Sequence, residues 1–132
     1  MLQVQDLSYF IQSKCILKDI NFSVKKNTIT CILGPNGAGK TSLLKQICGL
    51  HKLEHGKIIL DDQVLNSINE TQRARKIAYV PQKSSSLPAF SVKEFIQQAS
   101  YSHIEQQIVP DIKDILKVCE LEAIENQSIS SL

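Results

Sequence analysis

Polar and apolar positions alternate at the start of the chain. Leu2 and Val4, then Ile20, Phe22 and Val24, stand two apart and predict strands with one buried face. The run Ile29 to Leu33 is apolar without a break and reads as a buried strand. The period then changes, because Leu43, Leu44 and Ile47 fall on one stripe of a helix over about Lys40 to Cys48, placed to pin it to a sheet. Gly56 opens another strand, Lys57 to Leu60, which ends at the turn Asp61-Asp62. A polar stretch, Thr71 to Lys76, predicts a short helix leading into a compact apolar strand, Ile77 to Val80, closed by Pro81.

Beyond Pro81 the pattern is helical. Ser91-Val92-Lys93-Glu94 has the form of a capping box, and Val92, Phe95, Ile96 and Ala99 follow at helical spacing. A further helix over about Asp111 to Leu121 puts Ile112, Ile115, Leu116 and Cys119 on one face. Mixed strands and helices thus give way to helices alone, with the joint at Lys83 to Ala89. The sequence contains no internal repeat and no low-complexity tract.

Composition narrows the function classes. The chain has 132 residues, is 42% hydrophobic and carries a net charge of +2, which fits one globular domain or part of one. No basic patch is interleaved with aromatic residues, so nucleic acid is not an expected partner. No apolar run is long enough to span a bilayer, and the start MLQVQDLSYF lacks the basic and hydrophobic blocks of a secretory signal; a cytosolic location is expected. Cys15, Cys31, Cys48 and Cys119 are widely spaced without a C-x-x-C pair or a cysteine–histidine cluster, and read as buried reduced thiols. His51, His55 and His103 are isolated and read as surface residues.

The strongest chemical signal is Gly34 to Thr41, GPNGAGKT, a full match to G-x-x-x-x-G-K-[ST]. A triphosphate needs several converging backbone N–H groups, a compact cation and an oxygen for Mg²⁺. Gly34, Gly37 and Gly39 let the backbone approach closely, with Pro35, Asn36 and Ala38 completing the loop. Lys40 can reach the β- and γ-phosphates, the Thr41 hydroxyl can ligate Mg²⁺, and Ser42 follows in the helix whose positive end faces the phosphates. All five glycines, Gly34, Gly37, Gly39, Gly49 and Gly56, lie in this part of the chain.

Three further landmarks make the chain resemble the nucleotide-binding subunit of an ABC transporter. Ile16-Leu17-Lys18-Asp19-Ile20 is similar to the family's "vLkdvs" strand, and Gly49-Leu50 followed by Gly56 to its "Gl…p..G.i" exit from the P-loop helix. Ala78-Tyr79-Val80-Pro81-Gln82 resembles the Q-loop, and Ser91 to Glu94 the "tV.e.v" helix start. Asn69 to Lys76, with its R-x-R-x-I form, and Ala99 to His103, in the place of a GRYPH element but without its arginine and proline, resemble the branch that imports iron-siderophores, haem or vitamin B12.

The resemblance implies an α/β fold: a P-loop NTPase (RecA-like) core with an antiparallel β subdomain over 1–82, ending at the Q-loop, and the start of a helical subdomain over 83–132. It implies ATP and Mg²⁺ as cofactors, held by Gly34, Pro35, Asn36, Gly37, Ala38, Gly39, Lys40, Thr41 and Ser42. Lys40 and Gln82 carry the catalytic roles, and Thr41 and Gln82 meet the metal. An integral-membrane permease and a second nucleotide-binding subunit, paired head to tail, are the implied partners, with the chain peripheral on the inner face of the membrane. Ile129-Ser130-Ser131-Leu132 resembles the lead-in to the LSGGQ signature. The signature glycines, the Walker B strand and the switch histidine are expected beyond Leu132, so the fold is expected to be incomplete at the C-terminus and the chain by itself catalytically weak.

Two positions depart from the family. Its adenine-stacking aromatic falls on Ile11, with Tyr9 earlier on the same strand face; Tyr9 is either the replacement stacker or a core or edge aromatic. Asn27 replaces a glycine that enters the P-loop strand, and asparagine tolerates the left-handed turn this requires. Two other readings share these motifs: an ABC-type ATPase of exporter or soluble non-transport function, and a non-catalytic truncated remnant. A GTPase does not fit, because no glycine follows Gly56 to supply a downstream D-x-x-G, and no N-K-x-D occurs.

Overall fold

In the computed structural model, which describes residues 1–82, 89–99 and 111–132, the alternating N-terminal positions form a β-hairpin. Strand β1 (Leu2–Ile11) pairs antiparallel with β2 (Lys14–Val24), Leu2 opposite Val24 and Ile11 opposite Lys14. The connection is the two residues Gln12 and Ser13, both left-handed at φ 46° and 66°. That geometry matches the twist of the flanking strands.

Strand β3 (His55–Leu60) adds to the other side of β1, and β4 (Gln63–Val64) to β3 through the turn Asp61-Asp62, giving the order β2-β1-β3-β4. Asp61 accepts from the Met1 ammonium at 2.6 Å and from Lys26 at 3.1 Å, and these contacts hold its carboxyl below the ordinary value.

Between Val4 and Ser8, strand β1 carries one residue more than either neighbour. Val4 pairs with Phe22 and Ile58, whereas Leu7 pairs with Ile20 and Ser8 with His55. The extra residue falls at Asp6, which is left-handed at φ 49°. The Asp6 N–H donates to Asn21 Oδ1 at 2.9 Å, and Asn21 Nδ2 donates back to Asp6 Oδ1 at 3.0 Å. Val4 and Leu7, three apart in sequence, therefore both point inward, 2% and 0% exposed. Across the sheet, a Cβ on Gly56 would sit 2.6 Å from the carbonyl oxygens of both Gln5 and Asp6, so the bulge leaves room there only for hydrogen.

Helix α1 (Lys40–Ile47) packs on this sheet through Leu43 and Ile47, closing a core with Val4, Leu7, Leu17, Ile58 and Leu65. Leu44 is 41% exposed, off the stripe expected from sequence. Helix α2 (Glu70–Ala74) starts at a capping box: Gln72 N–H donates to Asn69 Oδ1 at 2.8 Å, and Gln72 Oε1 accepts from Asn69 N–H at 3.2 Å.

The two expected apolar strands differ from the structure. Neither Ile29–Leu33 nor Ile77–Val80 is a strand; Ile29, Leu33 and Val80 are 97%, 89% and 89% exposed, while Ile32 and Ile77 pack against the core. One side of each segment is covered and the other is bare. A strand needs a hydrogen-bonded neighbour, and none among the described residues pairs with either segment. Asn27 does adopt the expected left-handed turn, at φ 58°.

The chain divides into two compact units, Met1–Ala78 and Tyr79–Leu132. The second contains α3 (Val92–Ala99) and α4 (Ile112–Val118). The Ser91 box forms as its residues require: Glu94 Oε2 accepts from Ser91 N–H at 2.8 Å, and Glu94 N–H donates to Ser91 Oγ at 3.2 Å. Asp111 caps α4 by accepting from Lys113 N–H at 2.9 Å. Residues 125–129 run beside the start of α3, where Val92 N–H donates to Gln127 O and Ile129 N–H to Phe90 O. Among the described residues of this unit, Val92 and Leu116 are the buried ones, and Cys119 is exposed rather than part of the helix's inner face. Most of the expected joint at 83–89, and 100–103 of the Ala99–His103 element, lie outside the described residues.

Candidate functional site

The glycine-rich loop links the core segment at Ile32 to α1. Gly37 and Gly39 are left-handed at φ 82° and 87°, and Gly39 serves as the N-cap of α1, from which Leu43 N–H donates to Gly39 O at 2.8 Å. No side chain caps this helix and its first turn holds no acidic residue, so its terminal N–H groups are left for an external acceptor. Residues 34–38 and Thr41 are exposed. Lys40 curls back over the loop, its ammonium donating to Gly34 O and Pro35 O at 2.8 Å each. The loop is thereby closed into a ring around a cation, at the place where a polyphosphate needs one.

The loop is seated against β2. A Cβ on Gly39 would lie 2.8 Å from Leu17 Cδ2 and 3.0 Å from Ile16 O. Leu17 is in turn the cross-strand partner of Tyr9. Tyr9 is half-buried, and its ring lies against the His51 imidazole, centroids 5.3 Å apart and tilted by 31°. The structure therefore groups residues 34–42 on one turn and helix start, with Tyr9 joined to them through Leu17. Gln82 is exposed and belongs to the second unit.

Several residues differ from their sequence reading. His51 is half-buried rather than on the surface, with Nδ1 out of contact with solvent and without a hydrogen-bond partner. Its only sequence signal is its place just after the P-loop helix. Cys15, Cys31 and Cys119 are exposed and Cys48 is half-buried, all as free thiols, where burial was expected; burial pushes the Cys48 thiol above its ordinary value. Among the described residues no three of the His, Cys, Asp and Glu side chains gather as a metal site, and no helix is long and apolar enough to cross a membrane.

The profile of the ABC transporter family matches residues 17–132. The chain belongs to that family. Among ABC relatives, a "Probable iron chelatin transport ATP-binding protein" of Helicobacter pylori is 37% identical over all of this chain and 54% of its own length. A "Zinc import ATP-binding protein" of Rickettsia bellii is 36% identical, over all of the chain and 51% of the relative. A "Hemin import ATP-binding protein" of Pseudoalteromonas translucida is 33% identical over 52% of its length. The chain spans about half the length of the curated relatives it matches. Among solved structures, an ATP-binding subunit of an ABC transporter superposes with a TM-score of 0.80 at 24% identity, covering 99% of this chain and 55% of the other. A nucleotide-free ATP-binding cassette gives 0.79 at 20% identity, covering 99% and 58%. The fold is thus that of the ABC-type P-loop NTPases.

Proposed function

We propose that this chain is the nucleotide-binding part of an ABC importer's ATP-binding subunit, in which residues 34–42 hold Mg-ATP to drive solute uptake. The observation that carries the reading is the exposed loop closed around the Lys40 ammonium ahead of an uncapped helix. Backbone N–H groups of the loop and of α1 face the phosphates, Lys40 neutralises the β- and γ-oxygens, and the exposed Thr41 hydroxyl takes a place on Mg²⁺. Bound ATP supplies the phosphoryl group whose transfer to water releases the energy for transport. By the family resemblance, Gln82 would take a further place on the metal and orient the attacking water, and Tyr9 would stack on the adenine. In phosphoryl transfer such positioning and charge stabilisation carry most of the catalysis.

The subunit pairs head to tail with a second nucleotide-binding subunit and sits on the inner face of the membrane through a permease. The cargo class is an iron chelate, haem or cobalamin, and relatives named for iron chelatin and hemin support the first two. A relative named for zinc import favours a second cargo, a metal ion.

The test uses the gene product at its natural length, with nucleotide binding measured by calorimetry. Lys40→Ala is expected to weaken Mg-ATP at least about tenfold, roughly 1.4 kcal/mol, while the unfolding midpoint stays near that of the parent. The same substitution should abolish ATP-dependent uptake in cells, and the parent should co-purify with a membrane protein. Unchanged ATP affinity in a folded Lys40→Ala protein would sink this reading.

A further inference from the structure

A cavity of about 470 Å³ opens in the first unit at the far end of α1, away from the P-loop. Its size is that of a small-molecule site. Gln46 lines it and is only 2% exposed; its Oε1 has no hydrogen-bond partner, and its Nε2 reaches Lys52 O at a long 3.4 Å. His51 lines the same cavity with its Nδ1 also unpartnered. A buried amide or imidazole left without a partner is costly, so these groups are built to meet something.

The wall complements them. The Arg73 guanidinium lies against Gly49, whose lack of a side chain leaves it the space. Lys52 and Arg73 line the cavity against one carboxylate, Glu70. Gln46 Oε1 can only accept and a guanidinium can only donate. A molecule that satisfies both carries a hydroxyl donor and an anionic oxygen group on one small frame, and two cations against one anion favour a net negative ligand.

We propose that the cavity bounded by Gln46, His51 and Arg73 binds a small hydroxycarboxylate, its carboxylate on Arg73 and its hydroxyl donating to Gln46. The cavity lies at the opposite end of α1 from the nucleotide loop.

The test uses the gene product at its natural length with L-malate as probe and succinate, which lacks the hydroxyl, as control. Malate should raise the unfolding midpoint and shift the Gln46 and Arg73 side-chain resonances, at least about tenfold more tightly than succinate. Arg73→Gln should abolish both effects, and Gln46→Leu should remove the preference for malate, with each variant's own unfolding midpoint and Mg-ATP binding recorded as folding controls. No malate effect at about 100-fold the protein concentration would overturn the proposal and leave the cavity to water alone. So would equal binding of malate and succinate, or binding that survives in a folded Arg73→Gln protein.

Discussion

Leu17 Cδ2 stands 2.8 Å from the point that a Cβ on Gly39 would occupy, with the Ile16 carbonyl at 3.0 Å on the same side. The turn that presents Lys40 is therefore pressed onto β2 with no space for a side chain, and Gly39 also holds φ 87°. Gly39→Ala is expected to cost about 2–4 kcal/mol, from left-handed strain and from contact with a backbone that cannot yield. Around Gly37, at φ 82°, nothing lies within 4 Å of a Cβ, so Gly37→Ala should cost only the strain, about 1–2 kcal/mol. Urea unfolding of the two variants checks the order.

Tyr9 touches His51 on one side and is linked through Leu17 to the loop on the other. If its ring carries the adenine, Tyr9→Ala should weaken ATP by about 1–3 kcal/mol, the value of one base on an aromatic ring. Tripolyphosphate, which has no base, should bind the variant and the parent alike. ATP affinity unchanged in Tyr9→Ala would leave the tyrosine as a packing partner of His51 only.

Glu94 is held below its ordinary value of 4.5, first by the Ser91 N–H and then by the Ser91 hydroxyl. The ionised carboxylate is the form the folded helix start favours. Its contribution is complete above the unfolded value and disappears as pH falls through the lower folded one. The carboxyl-carbon NMR titration of Glu94 should therefore have its midpoint below 4.5, and Ser91→Ala should move that midpoint upward. Glu94→Gln should remove this portion of the acid sensitivity of α3.

Gln12 and Ser13 connect β1 to β2 with both residues left-handed, yet neither favours that conformation. Replacing the pair by Asn-Gly, which does, should stabilise the first unit by about 1 kcal/mol without altering the register. Chemical denaturation gives the gain, and unchanged amide shifts along β1 confirm the pairing.

Local signals were readable in the chain where local chemistry decides the outcome. The capping box at Ser91, the phosphate loop ahead of α1, the strand at Ile58 and the left-handed Asn27 all form as their residues imply. Readings that depend on distant partners fared differently. Ile29 and Val80 have strand-like sequence, but a ladder requires a neighbour that the described residues do not bring. Leu44 lies at the margin of its helical stripe, and periodicity alone does not place that margin. The cysteines sit among apolar neighbours in sequence, yet three are exposed, because which side of a strand or helix faces the core is set by packing. The cavity beside Gln46 joins residues from three separate segments and leaves no mark on any one of them.

The extra residue at Asp6 and the bare Cα of Gly56 face each other across β1 and β3. Each position restricts what its opposite can become. A side chain at 56 meets the Gln5 and Asp6 carbonyls as long as the strand keeps its surplus residue, and the left-handed φ of 92° favours glycine as well. Among descendants of this sequence the two sites should change together or stay fixed, and an alanine at 56 should be less harmful in a lineage whose first strand is one residue shorter.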